Sequence, residues 1–220
     1  MRRGALFDVD GLLVDSETLG IRVFRGVLAD KGINLSPEEA ERYFVGRKDK
    51  DSYELVCAER ELGLNVEDLL RTHFSVYERD LANVPAIPGA EGVVRRCFQL
   101  GYTIAAVSGS TLYQVGIILD GLNVKNLFSE IIGCDSLING NPIKGKPAPQ
   151  GYLETARRMS IPIENCLVFE DSSLGIVAGK NAGAYVIGVQ GNSNQDISQA
   201  DYKVHSLKEI GDAFLVEFRK

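Results

Sequence analysis

The sequence has few residues of the kinds that build zinc sites, disulfide frameworks or histidine relays. Its 220 residues include only two histidines and four cysteines, and the cysteines are widely spaced with no Cys-x-x-Cys pair. Scattered thiols of this kind are typical of a reduced, cytoplasmic protein, so we expect neither a disulfide framework nor a zinc site. With two histidines, a histidine-rich metal site or proton relay is not expected either.

The sequence also lacks a long apolar run and an excess of positive charge. No stretch approaches the length of a membrane-spanning helix, and Asp8 and Asp10 interrupt the apolar stretch after Arg2 and Arg3, which excludes a secretory signal peptide. The net charge is −6, which argues against nucleic-acid and membrane partners. A ligand that carries phosphate would have to be attracted locally, by a metal or by a few placed cations.

Short apolar segments alternate with helical patterns along most of the chain. Hydrophobic residues make up 45% of the sequence and charged residues 25%, which predicts a packed core. Apolar strands separated by helices predict an α/β protein with a parallel sheet covered on both faces. In such sheets, ligands bind beyond the carboxyl ends of the strands. The strand candidates are residues 5–7, 103–107, 166–169 and 185–189, with 131–132 and 202–204 as weaker candidates at the sheet edge.

Residues 16–83 depart from the alternating pattern because they contain helical segments with no strand between them. Ser36 followed by Pro37 and two acids is typical of a helix start. We therefore predict an α/β core of residues 1–15 and 84–220 with an inserted domain of four helices. The four helix candidates are residues 16–31, 36–43, 51–62 and 66–81.

Two acids follow the first apolar segment at a spacing that places them on one side of the chain. Asp8 and Asp10 come directly after residues 5–7, and Gly11 gives the backbone the freedom to turn sharply. Because strands alternate their faces, both carboxylates project together. Like charges held this close need a neutralising partner, and oxygen-only ligation suits Mg²⁺. Viewed alone, a strand followed by an Asp-Gly turn is the simpler interpretation.

A small hydroxyl cluster follows the second strand candidate. Ser108, Gly109 and Ser110 come directly after residues 103–107. The helix that follows could bind an anion at its N-terminus, or the hydroxyls could simply cap that helix; both interpretations stay open at this point.

Two further polar clusters complete the set. Lys146 lies between a glycine and a proline, which would fix the direction of its ammonium group, although a solvated loop lysine is the ordinary alternative. Glu170 and Asp171 follow the strand candidate 166–169. Acids there are often partners of a helix dipole, but this pair could also complete a Mg²⁺ shell.

The four clusters, in this order, resemble the haloacid dehalogenase superfamily of phosphotransferases: Asp-x-Asp-Gly, Ser-Gly-Ser, Gly-Lys-Pro-x-Pro and Glu-Asp-Ser. The Asp-Gly-x-x-x-Asp-Ser-Glu variant and the Glu-Asp-Ser-x-x-Gly ending are similar to the β-phosphoglucomutase-like subfamily. The resemblance covers nearly the whole chain, and the helical insertion matches the position of that subfamily's cap domain. It implies a haloacid-dehalogenase-like Rossmannoid core with a four-helix cap.

The resemblance implies a role for each acid of the first pair. Asp8 would be the nucleophile that forms an aspartyl-phosphate. Asp10 would be the acid and base that protonates the leaving oxygen and later activates water. The carboxylate of Asp8 and the backbone carbonyl of Asp10 would also bind Mg²⁺.

The resemblance also implies roles for the later clusters. Ser108, with the rest of the Ser-Gly-Ser loop, would bind the phosphoryl group, and Lys146 would offset charge on that group and on the nucleophile. Asp171 would ligate Mg²⁺ directly, and Glu170 directly or through water. These roles fit phosphoryl transfer, which asks mainly for positioning and charge neutralisation.

Asp10 separates this chain from two relatives within the superfamily. Haloacid dehalogenases lack the second aspartate, and phosphonatases replace it and use a cap lysine, so we interpret Lys48 and Lys50 as surface charges. Specificity is expected in the cap and its hinge, where Ser16 and Glu17 follow the catalytic loop. Arg47 could contact a second anionic or sugar group, or it could be a solvated arginine on a helix connection.

The leading hypothesis is a Mg²⁺-dependent phosphatase that acts on a small phosphorylated metabolite, such as a sugar phosphate, through an aspartyl-phosphate. The alternative is a β-phosphoglucomutase-type mutase. That enzyme has a histidine at the position of Gly20, so its absence favours the phosphatase. A catalytically silent binding protein would be expected to lose at least one member of the set, and all are present. A cytoplasmic monomer is expected.

Overall fold

The computed structural model describes residues 2–191 and 195–218 and divides into two compact units. One unit contains residues up to Asp15 and from Pro85 onward, and the other is Ser16–Val84. The predicted boundary at 83/84 therefore lies one residue before the structural division. That the two units act as catalytic core and cap stays a prediction. In the described part of the chain, no helix is both long enough and apolar enough to cross a membrane.

The first unit is built on a parallel sheet of six strands, which confirms the predicted α/β class. These strands are β1 Gly4–Phe7, β2 Thr103–Val107, β3 Phe128–Ile132, β6 Cys166–Glu170, β7 Tyr185–Val189 and β8 Tyr202–Val204, and a separate small hairpin contains β4 Leu137–Ile138 and β5 Asn141–Pro142. The order across the sheet is β3-β2-β1-β6-β7-β8. Both weaker strand candidates are real strands and form the two edges, as predicted.

Helices cover this sheet and form the whole of the second unit. Their bounds are α1 Ser16–Ala29, α2 Pro37–Phe44, α3 Asp49–Glu59, α4 Val66–Leu81, α5 Ala90–Gln99, α6 Leu112–Gly121, α7 Gln150–Met159, α8 Ser173–Ala182 and α9 Asp212–Glu217. The first four correspond to the predicted helical insertion. The predicted bounds were wrong at the end of α1, which stops two residues early, by one residue at each end of α2, and at both ends of α3.

The register of the sheet aligns the ends of its three central strands. Phe7, the last residue of β1, pairs with Ala106 of β2 on one side and with Phe169 of β6 on the other. The rings of Phe7 and Phe169 stack with centroids 4.4 Å apart. Because β1 is completely buried and bonded on both sides, the residues that follow these three strands meet at one edge of the sheet.

Local capping explains why the helices of the second unit begin where they do. Ser36 caps α2 in a reciprocal arrangement: its hydroxyl accepts from the Glu39 amide at 3.2 Å, and its own amide donates to Glu39 Oε2 at 2.8 Å. Asn65 caps α4 by accepting from two amides of the first turn. These caps confirm the predicted start at Ser36.

Gly20 allows α1 and α2 to approach closely within the second unit. A Cβ atom at position 20 would lie 2.7 Å from Cζ of the Phe44 ring, which is closer than real Cβ contacts come. Phe44 is at the end of α2, and its ring also packs on Phe24 of α1. The space next to residue 20 is therefore filled by an aromatic ring, so a larger residue at this position would have to displace Phe44.

His73 is a buried titratable group in the second unit. It is 1% exposed, its Nδ1 lies 3.1 Å from the Tyr53 hydroxyl, and the rings of Phe44 and Tyr77 stack on it. Burial lowers the pKa of His73 below its ordinary value of 6.5, and Asp49 opposes this shift. His73 is thus a packed, mostly neutral member of an aromatic cluster.

The burial of His73 predicts that this residue weakens folding on mild acidification. Its pKa is lower in the folded state, so the unfolded chain binds more protons once the pH falls below about 6.5, and folding weakens until the pH passes below the folded pKa. Buried carboxylates with raised pKa values act in the opposite direction but are common to both proteins. On acidification from about pH 7.5 to pH 5.5, we therefore expect the melting temperature of the unmodified protein to fall more, or rise less, than that of His73→Asn. Thermal unfolding across this pH range measures both slopes.

The other histidine, His205, is exposed and provides a matched control. His205→Asn is expected to keep the pH slope of the unmodified protein. Equal slopes for His73→Asn and the unmodified protein would contradict the assignment of the acid sensitivity to His73.

Candidate active site

Polar residues from three strands meet at the carboxyl edge of the sheet. Asp8 follows β1, Ser108 follows β2, and Glu170 ends β6 with Asp171 next to it. The amide of Asp8 donates to the Phe169 carbonyl at 3.0 Å, which continues the β1–β6 ladder to this residue. The predicted clusters therefore come together because their strands are parallel and in register.

Buried Asp8 forms an ion pair with partly buried Lys146 at this edge. Asp8 is 5% exposed. Lys146 donates to Asp8 Oδ1, and its Nζ also lies 2.5 Å from Glu170 Oε1. Burial raises the pKa of Asp8 well above its ordinary value, against the effect of Lys146. Burial lowers the pKa of Lys146, but Asp8 and Glu170 outweigh it and raise that pKa well above the usual range, so the lysine stays charged.

Glu170 is completely buried and is held through both of its oxygens. The Tyr152 hydroxyl donates to Oε1 at 2.6 Å. The amide and hydroxyl of Ser172 donate to Oε2 at 3.3 and 3.0 Å. The backbone of Gly175 lies so close that a Cβ atom there would overlap the carboxylate. The orientation of Glu170 is therefore fixed by the first turn of α8 on one side and by α7 on the other.

The two serines of the Ser-Gly-Ser loop contact Asp10. The hydroxyls of Ser108 and Ser110 donate to Asp10 Oδ2 at 2.7 and 2.8 Å. The Ser110 amide in turn donates to the Ser108 hydroxyl at 2.8 Å. Sequence reasoning assigned these serines to a phosphoryl group and missed that they also fix the orientation of the Asp10 carboxylate.

The N-terminus of α6 is capped by Thr111, the residue that follows the Ser-Gly-Ser loop. Thr111 accepts from the Gln114 amide at 3.3 Å. The Leu112 amide donates to Asp135 Oδ1 at 2.8 Å. These two amides of the helix start therefore have partners within the chain, and anion binding at the Ser-Gly-Ser loop stays a prediction.

Asp171 carries a buried oxygen that lacks a partner. Its Oδ1 accepts no hydrogen bond from any residue that the structure describes, and its Oδ2 lies against the backbone of Gly11. Burial, followed by the charge of Glu170, raises the pKa of Asp171 to about 7. A buried carboxylate oxygen without a donor is unusual, and a bound cation would satisfy it.

Three carboxylates form a cluster that fits a divalent metal ion. Asp8, Glu170 and Asp171 each place one oxygen within 4.8 Å of the others. Hard divalent cations such as Mg²⁺ take oxygen ligands of this kind. The donor set and the unpartnered Asp171 oxygen both fit such an ion. The Asp10 carboxylate is not part of this cluster, and sequence reasoning assigned only its backbone carbonyl to the metal.

The remaining predicted residues, Ser16, Glu17 and Arg47, belong to the other structural unit. Ser16 and Glu17 form the first turn of α1. Arg47 is exposed and donates to the Arg42 carbonyl at 2.7 Å. Their assignment to substrate recognition stays a prediction.

Sequence reasoning missed Tyr152 and Ser172 as parts of the site. Tyr152 lies on the buried face of α7, where an aromatic residue is normally interpreted as core. Its hydroxyl was the available signal, since a buried tyrosine oxygen needs a partner. Ser172 belongs to the quoted Glu-Asp-Ser motif but was given no role, although a serine before a helix indicates a cap.

A cavity of about 260 Å³ opens beside Ser108 and Lys146. Its walls are mainly apolar and include Val107, Ile132 and Ile143.

The chain is similar in sequence to haloacid dehalogenase-like hydrolases and to named phosphatases. Residues 5–189 match the family model of haloacid dehalogenase-like hydrolases. Hexitol phosphatase B of Escherichia coli is 28% identical over 214 residues, covering 94% of this chain and 93% of that protein. A bifunctional riboflavin kinase/FMN phosphatase of Arabidopsis thaliana is 28% identical over 208 residues, covering 93% of this chain; the chain spans only 53% of that relative.

Solved structures share the fold. A HAD family hydrolase from Deinococcus radiodurans with bound phosphate and sodium has a TM-score of 0.79 and 29% identity, with 99% of this chain and 96% of that chain covered. A β-phosphoglucomutase from Clostridium difficile has a TM-score of 0.73, with 99% and 97% covered. At 22% identity, the second match shows only that the fold is shared.

The close approach of Gly175 to Glu170 predicts that even an alanine is poorly tolerated at this position. A Cβ atom would overlap the Glu170 carboxylate, whose hydrogen bonds leave it little freedom to move. We expect Gly175→Ala to lower the free energy of unfolding by about 1–3 kcal/mol. Denaturant unfolding followed by circular dichroism measures this change.

Gly92 in α5 is the matched control, because a Cβ atom there meets nothing within 4 Å. Gly92→Ala is expected to stabilise the protein slightly, since alanine is the better helix former. A Gly175→Ala protein as stable as the unmodified chain would show that Glu170 can move.

Proposed function

The chain belongs to the haloacid dehalogenase-like hydrolase family, and from that premise we propose that it is a Mg²⁺-dependent phosphatase. Its substrate would be a small phosphorylated metabolite, such as a sugar phosphate, and the reaction would pass through an aspartyl-phosphate. The observation that carries the proposal is the pairing of buried Asp8 with Lys146 beside a cluster of carboxylate oxygens. That arrangement provides a nucleophile, a cation and a metal site together.

Asp8 would act as the nucleophile and Asp10 as the acid and base. An Asp8 oxygen forms a bond to phosphorus while the bond from phosphorus to the leaving oxygen breaks, and Asp10 donates a proton to that oxygen. Water then attacks phosphorus, Asp10 takes the proton, and phosphate leaves with Asp8 restored. The two serine hydroxyls on Asp10 Oδ2 support this role because they leave Oδ1 to carry the proton.

Lys146 would allow an anionic nucleophile to meet an anionic phosphate. Its ammonium lies against Asp8, so it would offset charge on both partners in the transition state. Ser108, Gly109 and Ser110 would line the phosphoryl position from the neighbouring strand. The protein thereby supplies positioning and charge compensation, which are the main demands of phosphoryl transfer.

The metal would be held at the carboxylate cluster. Asp8, Asp171 and the backbone carbonyl of Asp10 would be its ligands, with Glu170 beside them. The unpartnered Oδ1 of Asp171 supports this assignment. When bound, Mg²⁺ supplies positive charge that draws the phosphoryl group toward the nucleophile and stabilises its oxygens.

The substrate class is proposed from the relatives and from the charge of the chain. One relative is named for hexitol phosphates and another for FMN, which are small phosphate monoesters. The acidic net charge of −6 speaks against nucleic-acid partners. Recognition of the rest of the substrate by Ser16, Glu17 and Arg47 belongs to this proposal, as do a monomeric state and a cytoplasmic location.

A mutase is the alternative, and the packing at Gly20 disfavours it. The β-phosphoglucomutase that the sequence resembles has a histidine at the position of Gly20. Here the Phe44 ring occupies the space that the Cβ atom of a histidine at position 20 would need. Without a base at this point, release of phosphate to water is the better supported outcome.

The test of the proposed function is phosphate release from a panel of sugar and polyol phosphates in the presence of Mg²⁺. The panel includes β-glucose 1-phosphate, with formation of glucose 6-phosphate followed in parallel. We expect phosphate release from one or a few members, loss of activity on chelation and recovery when Mg²⁺ is restored. Glucose 6-phosphate formed with little free phosphate would establish the mutase instead, and activity unaffected by chelation would contradict the metal assignment.

Asp8→Asn tests the nucleophile. Because an amide cannot form the acyl-phosphate, we expect kcat to fall by about 10³-fold or more while the protein stays folded by circular dichroism. Asp30→Asn, on the exposed surface, is the control and should keep full activity. Turnover by Asp8→Asn at the unmodified rate would remove Asp8 from the mechanism.

A further inference from the structure

Tyr152 reaches the active site from α7 and touches two of its charged groups. It is 1% exposed. Its hydroxyl donates to Glu170 Oε1 at 2.6 Å, and the face of its ring lies toward the ammonium of Lys146, with 5.7 Å between Nζ and the ring centroid. A buried tyrosine placed between a carboxylate and an ammonium can influence both charged groups as well as pack in the core.

The carboxylate of Glu170 has its hydrogen-bonding capacity filled. Oε1 receives the Tyr152 hydroxyl and the Lys146 ammonium. Oε2 receives the amide and hydroxyl of Ser172. A carboxylate offers about four acceptor positions, so these four contacts use them. Glu170 can therefore turn toward a new partner only by giving up one of these contacts.

Lys146 is held between three groups rather than by one. Its ammonium contacts Asp8 Oδ1 and Glu170 Oε1 and faces the Tyr152 ring. Lysine has a flexible stem and rotatable donors, so its position depends on the strength of each surrounding acceptor. If the Tyr152 hydroxyl were removed, Glu170 Oε1 would rely on Lys146 alone and would draw the ammonium away from Asp8.

We infer that Tyr152 is a positioning residue whose hydroxyl, acting through Glu170, sets the place of the Lys146 ammonium relative to Asp8. The inference rests on the proposed function, in which Lys146 offsets charge on the phosphoryl group. In this inference, the main role of Glu170 is to hold the Lys146 ammonium, and its contribution to the metal site is secondary. Asp171, with its unpartnered oxygen, is then the acid of this pair that meets the metal directly.

Tyr152→Phe tests the inference because it removes the hydroxyl and keeps the ring. With p-nitrophenyl phosphate as the probe, we expect kcat to fall by about tenfold or more and KM to stay within about twofold. Calorimetric titration of inorganic phosphate into the Mg²⁺-loaded protein should show binding weakened by about three- to tenfold. Titration of Mg²⁺ alone should give a Kd within about twofold of the unmodified protein.

Two results would overturn the inference. If kcat and the phosphate Kd both stay within about twofold, the hydroxyl has only a packing role. If the Kd for Mg²⁺ weakens as much as the Kd for phosphate, Tyr152 orients a metal ligand and does not act on Lys146. The phosphate titration decides the question even if p-nitrophenyl phosphate is a poor substrate, because it needs no turnover.

Tyr102→Phe is the matched control for the loss of a buried hydroxyl. Tyr102 is buried in the same unit, and its hydroxyl donates to the Leu215 carbonyl at 2.7 Å. This variant is expected to lose stability without any change in kcat or phosphate affinity. A similar kinetic loss in Tyr102→Phe would mean that general loosening explains Tyr152→Phe, which would also overturn the inference.

A double-mutant cycle tests whether Tyr152 acts through Glu170. In a Glu170→Gln background, Tyr152→Phe should weaken phosphate binding by no more than about twofold further, since its path to Lys146 is already broken. If Glu170→Gln and Tyr152→Phe instead weaken phosphate binding by independent factors that multiply in the double variant, the inference is overturned. The Asp8→Asn variant distinguishes failure of the proposed function from failure of the Tyr152 inference. If Asp8→Asn turns over p-nitrophenyl phosphate at the unmodified rate, the proposed function fails. If it is inactive while Tyr152→Phe is unaffected, only the role of Tyr152 fails.

Discussion

The site is organised by an imbalance of buried charge. Asp8, Glu170 and Asp171 crowd around Lys146, and three negative charges against one positive leave an excess of two negative charges when all are ionised. Burial makes this excess costly, as the raised pKa values of Asp8 and Asp171 indicate. A divalent cation would offset this excess of two, while the Asp10 carboxylate, which also acts on Asp8 and Asp171, adds a further negative charge. The strands, the tight glycines and the buried hydroxyls are all arranged around this one electrostatic requirement.

The sheet makes such crowding possible because it is rigid where the charges lie. β1 is bonded on both sides and stacked through Phe7 on Phe169, so the backbone that carries Asp8 has little freedom to relax the repulsion. Ser172 and the close backbone of Gly175 hold Glu170 from the other side. Part of the stability of the fold therefore offsets the repulsion between these like charges. Such an arrangement is typical of sites that must receive a charged ligand.

Sequence patterns predicted what is local and missed what is long-range. The apolar segments, the acids that follow them and the caps at Ser36 depend on neighbours in sequence, so they could be predicted residue by residue. The contact of Ser110 with Asp10 spans 100 residues, and that of Tyr152 with Glu170 crosses between two elements. The Leu112 amide at the start of α6 donates to Asp135, 23 residues downstream. Nothing in composition or periodicity indicates such pairs, because tertiary packing alone creates them.

The packing of Phe44 on Gly20 also bears on how this chain could change over evolutionary time. A side chain at position 20 and the Phe44 ring cannot occupy the same space, so the two positions are linked by epistasis. A side chain can enter position 20 only if the partly buried ring moves aside or is replaced by something smaller, and replacing the ring first would leave a cavity. Substitutions at Gly20 are therefore expected to be accepted most readily together with a change at Phe44, so that the two positions change as a pair.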